Sequence, residues 1–287
     1  MVLDTASTAQ QRSSNAPSTT AVKGRHSGRF LKTHGPLLLR VTRSELKARY
    51  AGSFLGAGWV VLAPLFIIAI YALVYLYIFK AATSATGLPP FEYLLYIVAG
   101  LVPYLVTAEV LGVGVGAVVA NKSVLQNVVF PIDLVPAKTV LSSQPTMAAG
   151  ACVLAIGATA TGRLHWTFLL FPFVWVLQIL ALLGVVWVLS LLNIVLRDLG
   201  NIITVVLMML LIASPIVYTT SMVPHKMKLI LALNPLAYFI VVYQEICVLG
   251  TLPTPLQWVL LITFSLGSFA VGGWFFARAK AVLIDYV

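Results

Sequence analysis

Residues 58–79 read GWVVLAPLFIIAIYALVYLYIF, a run without a single Asp, Glu, Lys or Arg. As a helix, these 22 residues rise about 33 Å, enough to cross the hydrocarbon core of a bilayer. Runs of the same character predict further spans at 93–119, 140–161, 168–196, 202–218 and 256–276. The composition agrees. Sixty per cent of the chain is hydrophobic, only 9% is charged, and the mean hydropathy is +1.00. Soluble domains carry about a quarter charged residues, so this chain has too few polar groups to cover a water-facing surface. The expected fold is all-α: a polytopic membrane protein with six transmembrane helices.

Two segments do not fit a plain span. Residues 227–233 are too short to cross, and 236–249 have the length of a re-entrant or interfacial segment. Asn234-Pro235 breaks the chain between them. The pair reads as two short helices dipping into one face of the bilayer; a seventh span is the alternative. At the other end of the chain, residues 1–30 are rich in Ser, Thr, Ala and basic residues and read as a disordered tail. Residues 36–56 differ, because Leu39, Leu46, Tyr50 and Phe54 share one helical face with Arg40, Arg43, Lys47 and Arg49 beside it. Such a stripe suits a helix lying in the membrane interface.

Charge sets the orientation. Nine of the eighteen Lys and Arg residues precede residue 50. With six spans and a cytoplasmic N-terminus, Lys122, Lys138, Arg197, Arg278 and Lys280 join them inside, against Lys80, Arg163, Lys226 and Lys228 outside. Fourteen against four predicts that both termini are cytoplasmic and that 227–249 lies at the outer face. The net charge of +10 is therefore a membrane-orientation pattern, and nucleic acid is not an expected partner.

Common catalytic and metal-binding motifs are missing. There is no G-x-x-x-x-G-K-[ST], H-E-x-x-H or G-x-S-x-G, and no carboxylate cluster with metal spacing. Gly112, Gly114 and Gly116 lie in a span and read as close-packing positions. Cys152 and Cys247 form no CxxC and read as packing residues. Glu109 falls near the middle of the second span, where an ionisable group is costly and is a candidate intramembrane functional carboxylate. Tyr71, Tyr75 and Phe79 share a face of the first span, as an aromatic belt or as a surface for sugar rings. The loop 121–138 contains Phe130-Pro131 and is too apolar for a solvated loop, which points to docking on another protein or packing against this one.

Several stretches together resemble a known family: Glu45-Leu-Lys-Ala-Arg-Tyr50, Gly52-Ser-Phe-Leu-Gly56 with Trp59 and Pro64, Asn121 through Phe130-Pro131 to Pro136, Arg197-Asp198, Ser214-Pro-Ile-Val-Tyr218 and Asn234-Pro235-Leu236. In their order and spacing they are similar to the membrane permease subunits of type-2 ABC exporters of lipid-linked polysaccharide, of the O-antigen, teichoic acid or cell-wall galactan kind. The resemblance covers about 36–285 and implies a domain of 31–287 with an interface helix at 36–56, a coupling loop at 121–138 and outer gate helices at 227–249. It implies a homodimeric pore in the bacterial inner membrane, two separate ABC ATPase subunits holding ATP and Mg, and no cofactor in this chain. Glu45, Arg49, Asn121, Phe130 and Pro131 are then the expected ATPase-coupling residues. Arg40, Arg43 and Lys47 are expected at the lipid diphosphate, and Tyr71, Tyr75 and Phe79 along the glycan path. The alternatives are export of a drug or small lipid, a proton-coupled carrier using Glu109, and an enzyme acting on polyprenyl lipids.

Overall fold

A computed structural model describes residues 27–77, 87–122, 131–219, 222–224 and 228–283. They are helical throughout, with no strand among them. In chain order the helices are α1 (Ser27–Arg49), α2 (Trp59–Tyr77), α3 (Pro90–Gly114), α4 (Ala117–Ala120), α5 (Leu134–Ser142), α6 (Gln144–Ala160), α7 (Phe171–Val195), α8 (Leu199–Ala213), α9 (Lys228–Leu233), α10 (Pro235–Gln244, continued by a π-helical turn, Glu245–Leu249) and α11 (Pro255–Leu283). Among the described residues, four segments are long and apolar enough to cross a membrane: Pro90–Gly114, Leu134–Ala160, Trp166–Val195 and Pro255–Lys280. Val61–Tyr71, Leu199–Ala213 and Pro235–Leu249 are shorter apolar helices.

The element boundaries have local causes. α1 ends at Arg49, earlier than the expected 56, and two left-handed glycines follow: Gly52 at φ 78° and Gly56 at φ 49°. Such backbone is easy only for glycine, and it ends the helix and turns the chain into α2. α1 also begins at Ser27, inside the expected tail of 1–30; residues 1–26 lie outside the described residues. The expected span 93–119 divides, because α3 stops at Gly114 and α4 restarts at Ala117 after a turn at Val115-Gly116. The expected span 202–218 is shorter, since α8 ends at Ala213. Pro215 has no N–H to continue the helix and drives Ser214 to an extended ψ of 144°.

α3 is the axis of the bundle, buried along most of its length and packed by α2, α6, α7, α8 and α10. Small residues set the closest approaches. A Cβ at Gly150 or Gly157 of α6 would stand 2.4 Å from Val102 or Leu95 of α3. One at Gly184 of α7 would stand 2.1 Å from the Ser268 carbonyl of α11, and one at Gly272 would stand 2.1 Å from the Gly184 carbonyl. Ser268 Oγ donates to Ala181 O at 2.8 Å across the same seam. Lipid tails are as apolar as Leu, so helices in a bilayer associate by this kind of close packing. Of the three span glycines, Gly114 meets Val186 at 2.7 Å, whereas Gly112 and Gly116 meet nothing closer than ordinary contact. Cys247 is buried as expected; Cys152 is exposed on α6 rather than packed.

Candidate functional site

At one end of the bundle, ion-pair and hydrogen-bond partners converge from separate helices. Arg49, the last residue of α1, donates Nη1 to Glu109 Oε1 of α3 at 2.5 Å. Glu109 Oε2 accepts from Thr146 Oγ1 of α6 at 3.1 Å. The spacing of apolar residues places Glu109 mid-span; the structure puts it near the end of α3, because the hydropathy runs on through the Val115-Gly116 turn into α4. Partial burial works against the Arg49 charge, but the hydrogen bond and attraction of Glu109 outweigh it and raise the guanidinium pKa above its ordinary value. Arg49 is thus a permanent cation at this joint.

A second pair lies one face along. Lys138 Nζ of α5 stands 2.8 Å from Glu45 Oε2 of α1 and donates to Asn121 Oδ1 at 2.9 Å. The Lys138–Glu45 contact is an ion pair without good hydrogen-bond alignment, so its attraction is mainly Coulombic. Asn121 Nδ2 donates back to Ala117 O at 2.8 Å, which closes the end of α4. A third pair joins Lys280 of α11 to both oxygens of Asp133, at 2.9 and 2.8 Å. Three of the expected coupling residues, Glu45, Arg49 and Asn121, are therefore brought into one cluster. Pro131 lies half-buried at the foot of α5, and Phe130 lies outside the described residues.

α1 packs with a different face from its apolar stripe. Leu38 (4% exposed) and Thr42 (7%) face the protein, while Leu39 (70%) is uncovered and Phe54, past the end of α1, is fully exposed. Arg40, Arg43 and Lys47 are exposed and form no ion pair among the described residues. Tyr71 is half-buried and packs against the core, Tyr75 lies one turn along α2, and Phe79 lies outside the described residues. Lys138, Thr146, Asp133 and Lys280 were not legible as site residues. Lys138 and Lys280 read as orientation charges, Thr146 carries no charge, and nothing in the spacing pairs residue 133 with residue 280.

The opposite end of α3, about 24 Å away from Glu109 at Tyr93, is held mainly by neutral groups, with one ion pair, Arg163–Glu92, beside them. The irregular segment after α8 leaves carbonyls free, and side chains of α10 and α3 take them. Gln244 Nε2 donates to Pro215 O (2.9 Å) and Ile216 O (3.2 Å), and Tyr93 Oη donates to Val217 O (2.9 Å). Asn234 caps α10 through Leu236 N and Ala237 N and donates Nδ2 to Ser214 Oγ at 2.9 Å. Non-helical backbone inside a bilayer survives only when buried and satisfied in this way.

Residues 36–247, most of the chain, match the family model of ABC-2 type transporters. The chain belongs to the ABC-2 type transporter family. It is a multi-pass membrane permease, and the family match spans the charged cluster from Glu45 to Thr146 and the hairpin as far as Cys247. The ABC-2 chain is similar to the O-antigen export system permease protein RfbA of Myxococcus xanthus, at 29% identity over 221 residues, 76% of this chain and 82% of the relative. It is also similar to the protein of the same name from Klebsiella pneumoniae, at 28% over 219 residues, 75% and 82% of the two chains.

Proposed function

We propose that this ABC-2 chain is the pore-forming permease of an ATP-driven exporter that moves polyprenyl-diphosphate-linked polysaccharide from the cytoplasm across the bacterial inner membrane. The observation that carries the reading is the charged cluster itself. It ties α1 and the base of segment 121–138 to α3 and α6, so a push on that segment has a direct route into the spans. The chain carries no P-loop, so a separate ATPase subunit that holds ATP and Mg supplies the push. The similarity to permeases named for O-antigen export supports a glycan cargo.

In this reading six segments cross, both termini are cytoplasmic, and the charged cluster faces the ATPase pair. Two copies of the chain form the pore, and residues 227–249 gate its outer end. Glu45, Arg49, Asn121, Phe130 and Pro131 couple to the ATPase. The uncovered Arg40, Arg43 and Lys47 attract the lipid diphosphate at the inner leaflet, and Tyr71, Tyr75 and Phe79 line the glycan path. A proton-coupled carrier using Glu109 is the weaker alternative, because that carboxylate is engaged by Arg49 and Thr146.

The test is co-expression with the ATPase subunit encoded beside the gene, followed by purification and a deletion phenotype. The expected result is a stable complex and loss of surface polysaccharide on deletion. A chain that never co-purifies with an ATPase overturns the reading. Intact surface polysaccharide after deletion moves the cargo to a drug or small lipid.

A further inference from the structure

The segment 121–138 is fastened at two places to two different parts of the bundle. Its first and last residues meet each other through Asn121 and Lys138, and Lys138 continues to Glu45 of α1. The second fastening is at Asp133. Lys280 donates to both of its carboxylate oxygens, and its backbone carbonyl accepts from Trp187 Nε1 of α7 at 3.3 Å. The Trp187 ring rests against Phe269 and Phe276 of α11, with centroids 5.4 and 6.3 Å apart. Asp133 is thus clamped to the α7–α11 pair, whose backbones meet at Gly184 and Gly272.

The far end of α11 has a fastening of its own. Gln257, in its first turn, donates Nε2 to both oxygens of Glu245 at 2.9 and 3.1 Å. Glu245 opens the π-helical turn that continues α10. α11 is an unbroken helix of 29 residues, and its two fastenings, at Gln257 and Lys280, stand about 35 Å apart along it. It has no proline after its first residue, whereas α2 and α3 contain Pro64 and Pro103. A helix whose backbone runs on without a break and is fixed at both ends can carry displacement along its length.

We propose that Asp133 and Lys280 are positioning residues that form a second transmission arm. Movement of segment 121–138 passes through this pair into α11 and on, by Gln257 and Glu245, to the hairpin at the opposite end. The arm through Lys138 and Glu45 serves α1 separately. The proposal rests on the reading that this segment receives force from an ATPase subunit.

The experiment uses the full chain in complex with its ATPase, with Cys152→Ser and Cys247→Ala removing native thiols. A fluorophore is attached at Ala48→Cys on α1 or at Ala277→Cys on α11, both exposed positions. ATP is expected to shift the emission of both labels in the parent complex. Asp133→Lys should abolish the shift at 277 and keep the shift at 48; the milder Lys280→Met should do the same. Asp133→Lys combined with Lys280→Asp should restore the shift at 277. A 277 response that survives either single variant, or that stays lost in the charge-swapped double variant, overturns the second arm. Loss of both responses in both single variants makes the pair merely structural and overturns it equally. A parent complex in which neither label responds to ATP rejects the functional reading instead.

Discussion

The two ends of α3 are both polar, yet the chemistry that fastens them differs. The end at Glu109 is joined by ion pairs on long side chains: Arg49–Glu109, Lys138–Glu45 and, nearby, Lys280–Asp133. The end at Tyr93 is joined mainly by neutral side chains donating to backbone carbonyls of a broken segment; its ion pair, Arg163–Glu92, lies at the rim with an exposed arginine. Ion pairs at partly exposed sites hold weakly, respond to salt and can exchange partners. Amide donors buried among apolar groups have no alternative partner, so opening them carries the whole desolvation cost. The first kind of joint suits a contact that is pushed. The second suits a hairpin that keeps its shape while it moves as a unit.

The most damaging change sits between the ends and should destroy both. Gly184→Leu sets a side chain into the α11 backbone at Ser268, where no flexible neighbour can yield. We expect no folded protein, checked by monodisperse elution in detergent; a well-behaved Gly184→Leu protein would show that the α7–α11 seam does not organise the bundle. Next in size is Gln244→Leu, which leaves Pro215 and Ile216 carbonyls without their donor. The expected cost is about 1–3 kcal/mol, read as a lowered thermal midpoint that does not change with salt. A salt-dependent loss there would erase the contrast between the ends.

Glu109→Gln should cost less stability, about 1 kcal/mol or below, and the penalty should shrink as ionic strength rises. Export should fall further than stability does. The pair of measurements is a midpoint series in salt and a surface-glycan assay; normal export in Glu109→Gln would remove the joint from the coupling route. Smallest of all is the triple change of Arg40, Arg43 and Lys47 to Gln. These side chains are uncovered, so the midpoint should stay within about 0.5 kcal/mol of the parent. Binding to vesicles containing anionic lipid should weaken. A large stability loss would mean that this stripe is packed against protein after all.

Much of this was legible in the sequence because apolar runs and charge counts are local quantities. The helices at Pro90–Gly114, Trp166–Val195 and Pro255–Lys280 follow from unbroken hydropathy. So do the short helices on either side of Asn234-Pro235. Errors arose where hydropathy continued through a change in backbone. Val115-Gly116 lies within an apolar run and Ser214-Pro215 interrupts one for only two residues, yet one is a turn and the other ends a helix. The candidate site was legible in part. Glu45, Arg49 and Asn121 carry a coupling signal, whereas Lys138, the partner of Glu45 and Asn121, and Thr146, a donor to Glu109, carry none beyond their type.

The sequence by itself determined that the chain lives among helices in lipid, since too few polar side chains exist for any other solvent and the hydrogen-bonding demand of a backbone in lipid leaves little choice. It also determined where the hairpin turns, because proline and asparagine act on their own neighbours. Only the tertiary structure decided which charges meet. Arg49 and Glu109 stand 60 residues apart and Asp133 and Lys280 stand 147 apart. Such pairings depend on how the helices stack; contacts at Gly150, Gly184 and Gly272 set the approach of α6 to α3 and of α7 to α11, and no local pattern encodes them.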